Sequence, residues 1–96
     1  MRKYGRVDAN QGDVVKVLLG AGFSVASLAS LGGGVGDILV GGSGINVMIE
    51  VKVGNEPLTP AEKKFHAEWK GQIAIARTPE QALQVAIDVI YGGLRK

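Results

Sequence analysis

The chain contains no cysteine and a single histidine, His66. Disulfides and thiolate zinc centres are thereby excluded, as is an imidazole-rich metal site, so any bound metal must be held by oxygen. No stretch approaches the ~20 apolar residues that span a bilayer, and the first residues lack the apolar run of a signal peptide. The expectation is a soluble, cytoplasmic protein with no membrane partner. Charge of one sign is also scarce: 11 basic and nine acidic residues leave a net +2, which suits a polyanionic partner without requiring one. The basic groups cluster, with Arg2, Lys3 and Arg6 around Tyr4, Lys63 and Lys64 together, and Arg95 and Lys96 at the end. Such groups supply sequence-independent phosphate affinity when they lie near a site, although basic termini are also common on proteins that bind nothing.

At 96 residues and 46% hydrophobic, residues 1–96 read as one domain with room for a single core. Asp8 can cap a first helix with Gln11 three residues on, and Val14, Val15, Leu18 and Leu19 form its apolar face before Gly20-Ala21-Gly22. Phe23 to Leu28 reads as a strand. Thr59-Pro60-Ala61-Glu62 is a capping box with proline at the first helical position, and Phe65 and Trp69 on the helix that follows read as core. Gln72 to Ala76 is a short strand. Thr78-Pro79-Glu80-Gln81 repeats the capping device before an apolar helix from Pro79 to Tyr91. The order is α-β-β-β-α-β-α.

The central strands carry the chemistry. Gly36 to Val40, a glycine-rich turn and Ile45 to Lys52 form a hairpin. Side chains alternate along a strand, so Glu50 and Lys52 share one face while Ile49, Val51 and Val53 take the other. A turn at Gly42-Ser43, or over Gly41 to Gly44, sets Asp37 opposite Met48 and brings it to the face of Glu50; a one-residue slip would invert it. Two carboxylates with the Val51 carbonyl between them make a hard oxygen site suited to Mg²⁺ or Mn²⁺, beside which Lys52 can orient a water and stabilise charge on a phosphate. The alternatives at this stage are a surface ion pair between Glu50 and Lys52, or a strand edge guarded by charge. The glycines from Gly32 to Gly36 do not make a dinucleotide-binding turn, because a strand follows rather than a helix. They imply unusual backbone angles or a close approach of another chain at the site entrance.

Gly36-Asp37, a hydrophobic run, a turn, a second hydrophobic run and Glu50-Val51-Lys52 resemble the ordered motif of the PD-(D/E)xK nuclease superfamily, with Gly36 where many members have proline. Leu58 to Trp69 is similar to the helix that follows the catalytic strand in its VRR-NUC branch, which includes small stand-alone phage and bacterial proteins. The resemblance runs from about Asp8 to Ala76 and implies a restriction-endonuclease-like core, a mixed sheet flanked by helices. It further implies a Mg²⁺- or Mn²⁺-dependent DNA endonuclease, working in a bacterial or phage-infected cell as a homodimer on branched DNA such as four-way junctions. Asp37 and Glu50 would hold the metal with the Val51 carbonyl, and Lys52 would serve the nucleophile. Many members carry an acid on the first helix; here that position falls on Gln11, with Asp13 a poorer match by helical phase. Glu62 is open between a site role and its capping role. His66 receives no catalytic duty. The alternative function is a nuclease-like module that binds nucleic acid without cutting it, which would account for the neutral Gln11.

Overall fold

Val14 and Leu18, one helical turn apart, are buried on one side of helix α1 (Gly5–Gly20) in the computed structural model, which describes residues 5–92, with side chains from residue 10 onward. The basic arm of Arg2, Lys3 and Tyr4, the Arg6 side chain, and Arg95 and Lys96 lie outside the described residues. The helix begins before Asp8, so Asp8 is an interior position rather than its cap. Leu19 is 54% exposed, contrary to its expected place on the core face, because one step beyond Leu18 turns it about 100° away from the buried line. The helix ends as its glycines require. Gly22 takes φ +95, and the amides of Gly22 and Phe23 donate back to the carbonyls of Leu19 and Leu18, at 3.0 and 3.1 Å.

Four strands follow: β1 (Ser24–Ser27), β2 (Ile38–Gly42), β3 (Ile45–Val51) and β4 (Ile73–Ala76). They form one sheet in the order β1-β2-β3-β4, antiparallel except for the parallel β3–β4 pair. The crossover between β3 and β4 carries helix α2 (Pro60–Glu68), and helix α3 (Pro79–Ala86) continues into a π-helical turn, Ile87–Tyr91. The protein is therefore a mixed α/β fold of four strands and three helices. Both proline-led helices start as the sequence implies. Thr59 and Glu62 exchange reciprocal bonds at α2, whereas at α3 Thr78 Oγ1 accepts from Gln81 N but Gln81 Oε1 takes the Arg77 amide instead of closing the box.

The hairpin register differs from the expected one by two residues. Leu39, rather than Asp37, lies opposite Met48, because the turn is Ser43-Gly44. Both turn residues have positive φ, +52 and +81, the geometry that joins two twisted strands with two residues. A turn displaced by one residue shifts the pairing by two, so the parity of faces is preserved.

One face of the sheet is closed and the other is not. Ile38, Val40, Val47, Ile49, Val51 and Ala76 point to the closed face, where Val14 and Leu18 of α1 and Ala82, Ala86 and Ile90 of the last helix complete the core. Val53 lies past the end of β3 and is only partly buried. On the other face, the side that carries α2, stand Leu39, Met48, Glu50, Ile73 and Ile75. That helix has no buried residue, and Trp69 is 45% exposed. Trp69 is thus not core: it caps the C-terminal end of α2, where Phe65 stacks on it at 5.3 Å.

The loop from Leu28 to Gly36 leans on the start of α2. A side chain at Gly34, where φ is +83, would collide with the Ala61 carbonyl, whereas Gly33 at φ +65 faces open space. Gly33→Ala should therefore lower stability by about 1 kcal/mol, the cost of a left-handed backbone alone. Gly34→Ala should lower it by more, because backbone must also move, and equal urea midpoints for the two variants would disprove the contact.

Candidate active site on the open face of the sheet

The site forms where β2 stops pairing with β3. Strand β2 begins at Ile38, so the Val51 amide, which points to that side of β3, has no backbone partner there. The Asp37 carboxylate takes that place. Its Oδ2 accepts from Val51 N at 2.6 Å, while the Asp37 amide donates to the Ile49 carbonyl at 3.0 Å. Since the N–H and C=O of one strand residue point the same way, the Val51 carbonyl faces the same edge as Asp37.

Glu50 and Lys52 are not a surface pair: they are 3% and 4% exposed. Neither do they guard an edge, because β3 lies between β2 and β4. Lys52 Nζ lies 3.6 Å from Glu50 Oε2, 3.7 Å from Glu56 Oε2 and 2.7 Å from Glu62 Oε1. Glu62 has both of the roles open in the sequence, since the oxygen that meets Lys52 also accepts the Thr59 amide at 2.8 Å. The capping box thus fixes the lysine's partner.

Four ionisable groups now share a small volume, and their proton affinities are displaced. Burial, with the negative charges of Asp37 and Glu62 beside it, pushes the Glu50 carboxyl up to about 8. Burial also raises Asp37, although the Val51 amide and Lys52 work against it. For Lys52 burial opposes the charge, but the hydrogen bond and charge of Glu62, helped by Glu50 and Glu56, outweigh it and hold the ammonium above its ordinary value. Burial likewise raises Glu62, and its hydrogen bonds from Lys52 and the Thr59 amide more than reverse this. One oxygen, Glu50 Oε1, is buried without a hydrogen-bond partner among the described residues.

These residues fit a hard cation. The donor set is entirely oxygen, its charge is under-neutralised, and its deepest carboxylate has a vacant lone-pair side. Among the described residues no three His, Cys, Asp or Glu side chains make a ready ligand set. Asp37, Glu50 and the Val51 carbonyl would therefore rely on water to complete a shell, as Mg²⁺ sites commonly do.

The first helix reaches this region through a different residue from the one expected. Asn10, not Gln11, makes contact: its Nδ2 donates to the Lys52 carbonyl at 3.2 Å. Gln11 is half-buried and has no hydrogen bond to the cluster among the described residues, and Asp13 is exposed. Helical phase could have found Asn10, since Asn10, Val14 and Leu18 follow one another at four-residue steps on the buried line. His66, one turn after Glu62, has its Nε2 shielded from solvent and without a partner. Arg77 was also missed. Its Nη1 donates to the carbonyls of Gly54 and Glu56, both at 2.8 Å, and so clasps the loop that carries Glu56.

No family model, curated protein or solved structure matches this chain.

The displaced Glu50 affinity has a measurable consequence for the metal-free protein. Its folded value, about 8, lies above its ordinary value of 4.5, so folding takes up a proton between the two. The associated stability is fully present below pH 4.5 and is lost as pH rises through about 8. The urea midpoint of the metal-free protein should fall across this window, and Glu50→Gln should flatten the fall. A variant that keeps the full slope would show that another group is responsible.

Proposed function

We propose that the protein is a metal-dependent phosphodiesterase acting on DNA. The observation that carries this reading is the convergence of Asp37, Glu50 and Lys52 on the open sheet face, with a buried carboxylate oxygen left unpartnered. A purely structural ion pair is poorly served by this arrangement, because three carboxylates surround one ammonium and the burial of Glu50 beside Lys52 is costly. Asp37, Glu50 and the Val51 carbonyl would hold Mg²⁺ or Mn²⁺, which when bound supplies Lewis-acid polarisation of a phosphate oxygen. Lys52 keeps its proton at neutral pH and so acts through charge and hydrogen bonding rather than as a base. Of its three N–H donors, Glu62 engages one at 2.7 Å, while Glu50 and Glu56 stand too far for short bonds. Donors remain to orient an attacking water and to meet charge growing on the phosphate. A restriction-endonuclease-like core is the fold assignment consistent with this reading, supported by the element order and by the position of Glu50-Val51-Lys52 at the end of a central strand.

Two-fold symmetric cutting of a four-way junction needs two such sites, so the working unit is a homodimer on branched DNA. The last helix gives most of its apolar surface to its own core through Leu83, Val85, Ile87 and Val89, leaving Tyr91 exposed. A second reading, a module that binds nucleic acid without cutting it, is favoured by one observation: among the described side chains of α1, the Asn10 amide and no acid contacts the site. Cleavage assays on single-stranded, duplex, flap and junction DNA separate the two.

Asp37→Ala and Glu50→Ala should each abolish Mg²⁺-dependent cutting with the circular dichroism spectrum intact; full activity in either ends the nuclease reading. Lys52→Ala should slow cleavage by about a hundredfold or more while DNA affinity changes far less. Equal losses in rate and affinity would reduce Lys52 to a phosphate contact. The dimer is checked by light scattering with and without junction DNA, where monomer alone, or cleavage confined to linear duplex, would refute it.

A further inference from the structure

The open face of the sheet continues past the acid cluster into a groove of about 410 Å³, lined by Leu39, Asn46, Met48, Trp69, Gly71 and Gln72. Two stripes run side by side from the cluster to this groove. Along β3 and one residue past it the stripe is Lys52, Glu50, Met48 and Asn46, in alternate positions; along α2 it runs from Glu62 through His66 to the C-cap Trp69. Met48 stands two residues from Glu50, about 6.6–6.8 Å along the strand, close to the reach of one extended nucleotide.

The groove is built for a flat, amphipathic group. Its floor is apolar, formed by Leu39 and Met48. One wall is the indole of Trp69, held in place by Phe65 stacked beneath it at 5.3 Å and by the close backbone of Gly71, where any side chain would strike the indole. The rim is polar. Gln72 Nε2 donates to the Asn46 carbonyl, which fixes the amide and leaves its oxygen free to accept. Lys63, Lys64 and Lys70, on and just beyond α2, are exposed, and supply the positive charge a phosphate chain would follow.

We infer that this groove receives an unpaired nucleobase of the DNA substrate, stacked on Trp69, about one nucleotide from the phosphate held at Asp37, Glu50 and Lys52. The inference rests on the phosphodiesterase reading for the position of that phosphate, and it deepens that reading by naming the substrate: a strand with an unpaired base beside the scissile bond. An aromatic side chain exposed over an apolar floor is otherwise a liability, whereas base stacking on it is tolerant of sequence. A fully paired base cannot enter, because its face is already covered by its neighbours in the stack. Selectivity for branched or frayed DNA then follows from a pocket, with no need to read the branch itself.

Trp69 is the chain's single tryptophan, so its fluorescence reports on this groove alone. In a chelating buffer, where no strand is cut, a single-stranded oligodeoxynucleotide should quench the emission. A fully paired duplex of equal length, and a strand lacking bases, should bind without quenching. Quenching by all three alike, or by none, overturns the inference. In cleavage of a strand with an unpaired base at the cut, Trp69→Ala should raise KM about tenfold with a smaller effect on kcat, and Trp69→Phe should restore most of the loss. Unchanged KM in Trp69→Ala, with Asp37→Ala inactive, would remove the base subsite and leave the nuclease reading standing. Selective quenching by the single strand with no cleavage under any divalent ion would do the reverse. If Trp69→Ala changes only the concentration dependence of sedimentation, the groove is a contact between copies of the chain and the inference falls.

Discussion

The hydrogen bond from the Val51 amide to the Asp37 carboxylate, 2.6 Å long, is the contact on which the rest of the site depends. It stands where a backbone carbonyl of β2 would otherwise stand, so the sheet's own hydrogen-bond ladder is continued for one step by a side chain. That substitution does two things at once. It satisfies an amide that would be orphaned at a cost of about 1–3 kcal/mol, and it anchors a carboxylate next to Glu50 on an interior strand. The neighbouring Gly36 makes this possible: a side chain there would press on Met48 and on the Ile49 carbonyl, so only glycine lets the chain pass close enough to β3 for Asp37 to reach.

With Asp37 so anchored, the energetics of the cluster run against stability. Asp37, Glu50, Glu62 and Lys52 hold more negative than positive charge in a half-desolvated space, and the result is a Glu50 that keeps its proton up to about pH 8. Buried ion pairs are weak contributors to stability even when balanced. This one is unbalanced, and one of its oxygens has no hydrogen-bond partner among the described residues. The capping box of α2 limits the damage. By tying Glu62 to the Thr59 amide it presents one carboxylate to Lys52 in a fixed position, so that a local helix-start signal and a long-range ion pair are the same interaction seen from two sides. The remaining imbalance is the part that a bound cation would relieve.

Much of this was legible in the sequence, for reasons that differ from residue to residue. Alternation along β3 placed Glu50 and Lys52 together because a strand's period leaves no choice, and the parity rule protected the position of Asp37 even though the turn lay one residue later than expected. Thr59, Pro60 and Glu62 announced the start of α2 through local chemistry alone. Other readings failed where tertiary context decided. Asp8 looked like a cap because its spacing to Gln11 is right, but the helix had already begun. Phe65 and Trp69 looked like core because aromatic pairs one turn apart usually are; here α2 spans an open face, and nothing in its own residues says that no second layer covers it.

That open face separates stability from function along the thickness of one sheet. The closed side is packed by Val14, Leu18, Ile38, Val40, Val47, Ile49 and Ile90, all essentially inaccessible, and it alone has the helices needed to bury them. The other side carries every charge that the fold sets into β3 and is spanned by one short helix with no buried residue. Because alternate residues of the same strand serve the two sides, Ile49 and Val51 can hold the sheet rigid while Glu50 and Lys52, between and beyond them, carry the charged cluster on the opposite face. Strain or charge repulsion introduced on the functional side is thus borne by a core it does not touch. A chain of 96 residues has room for only one such core. Leaving the second face uncovered is the arrangement by which it can have both a stable fold and a surface concave enough to bind.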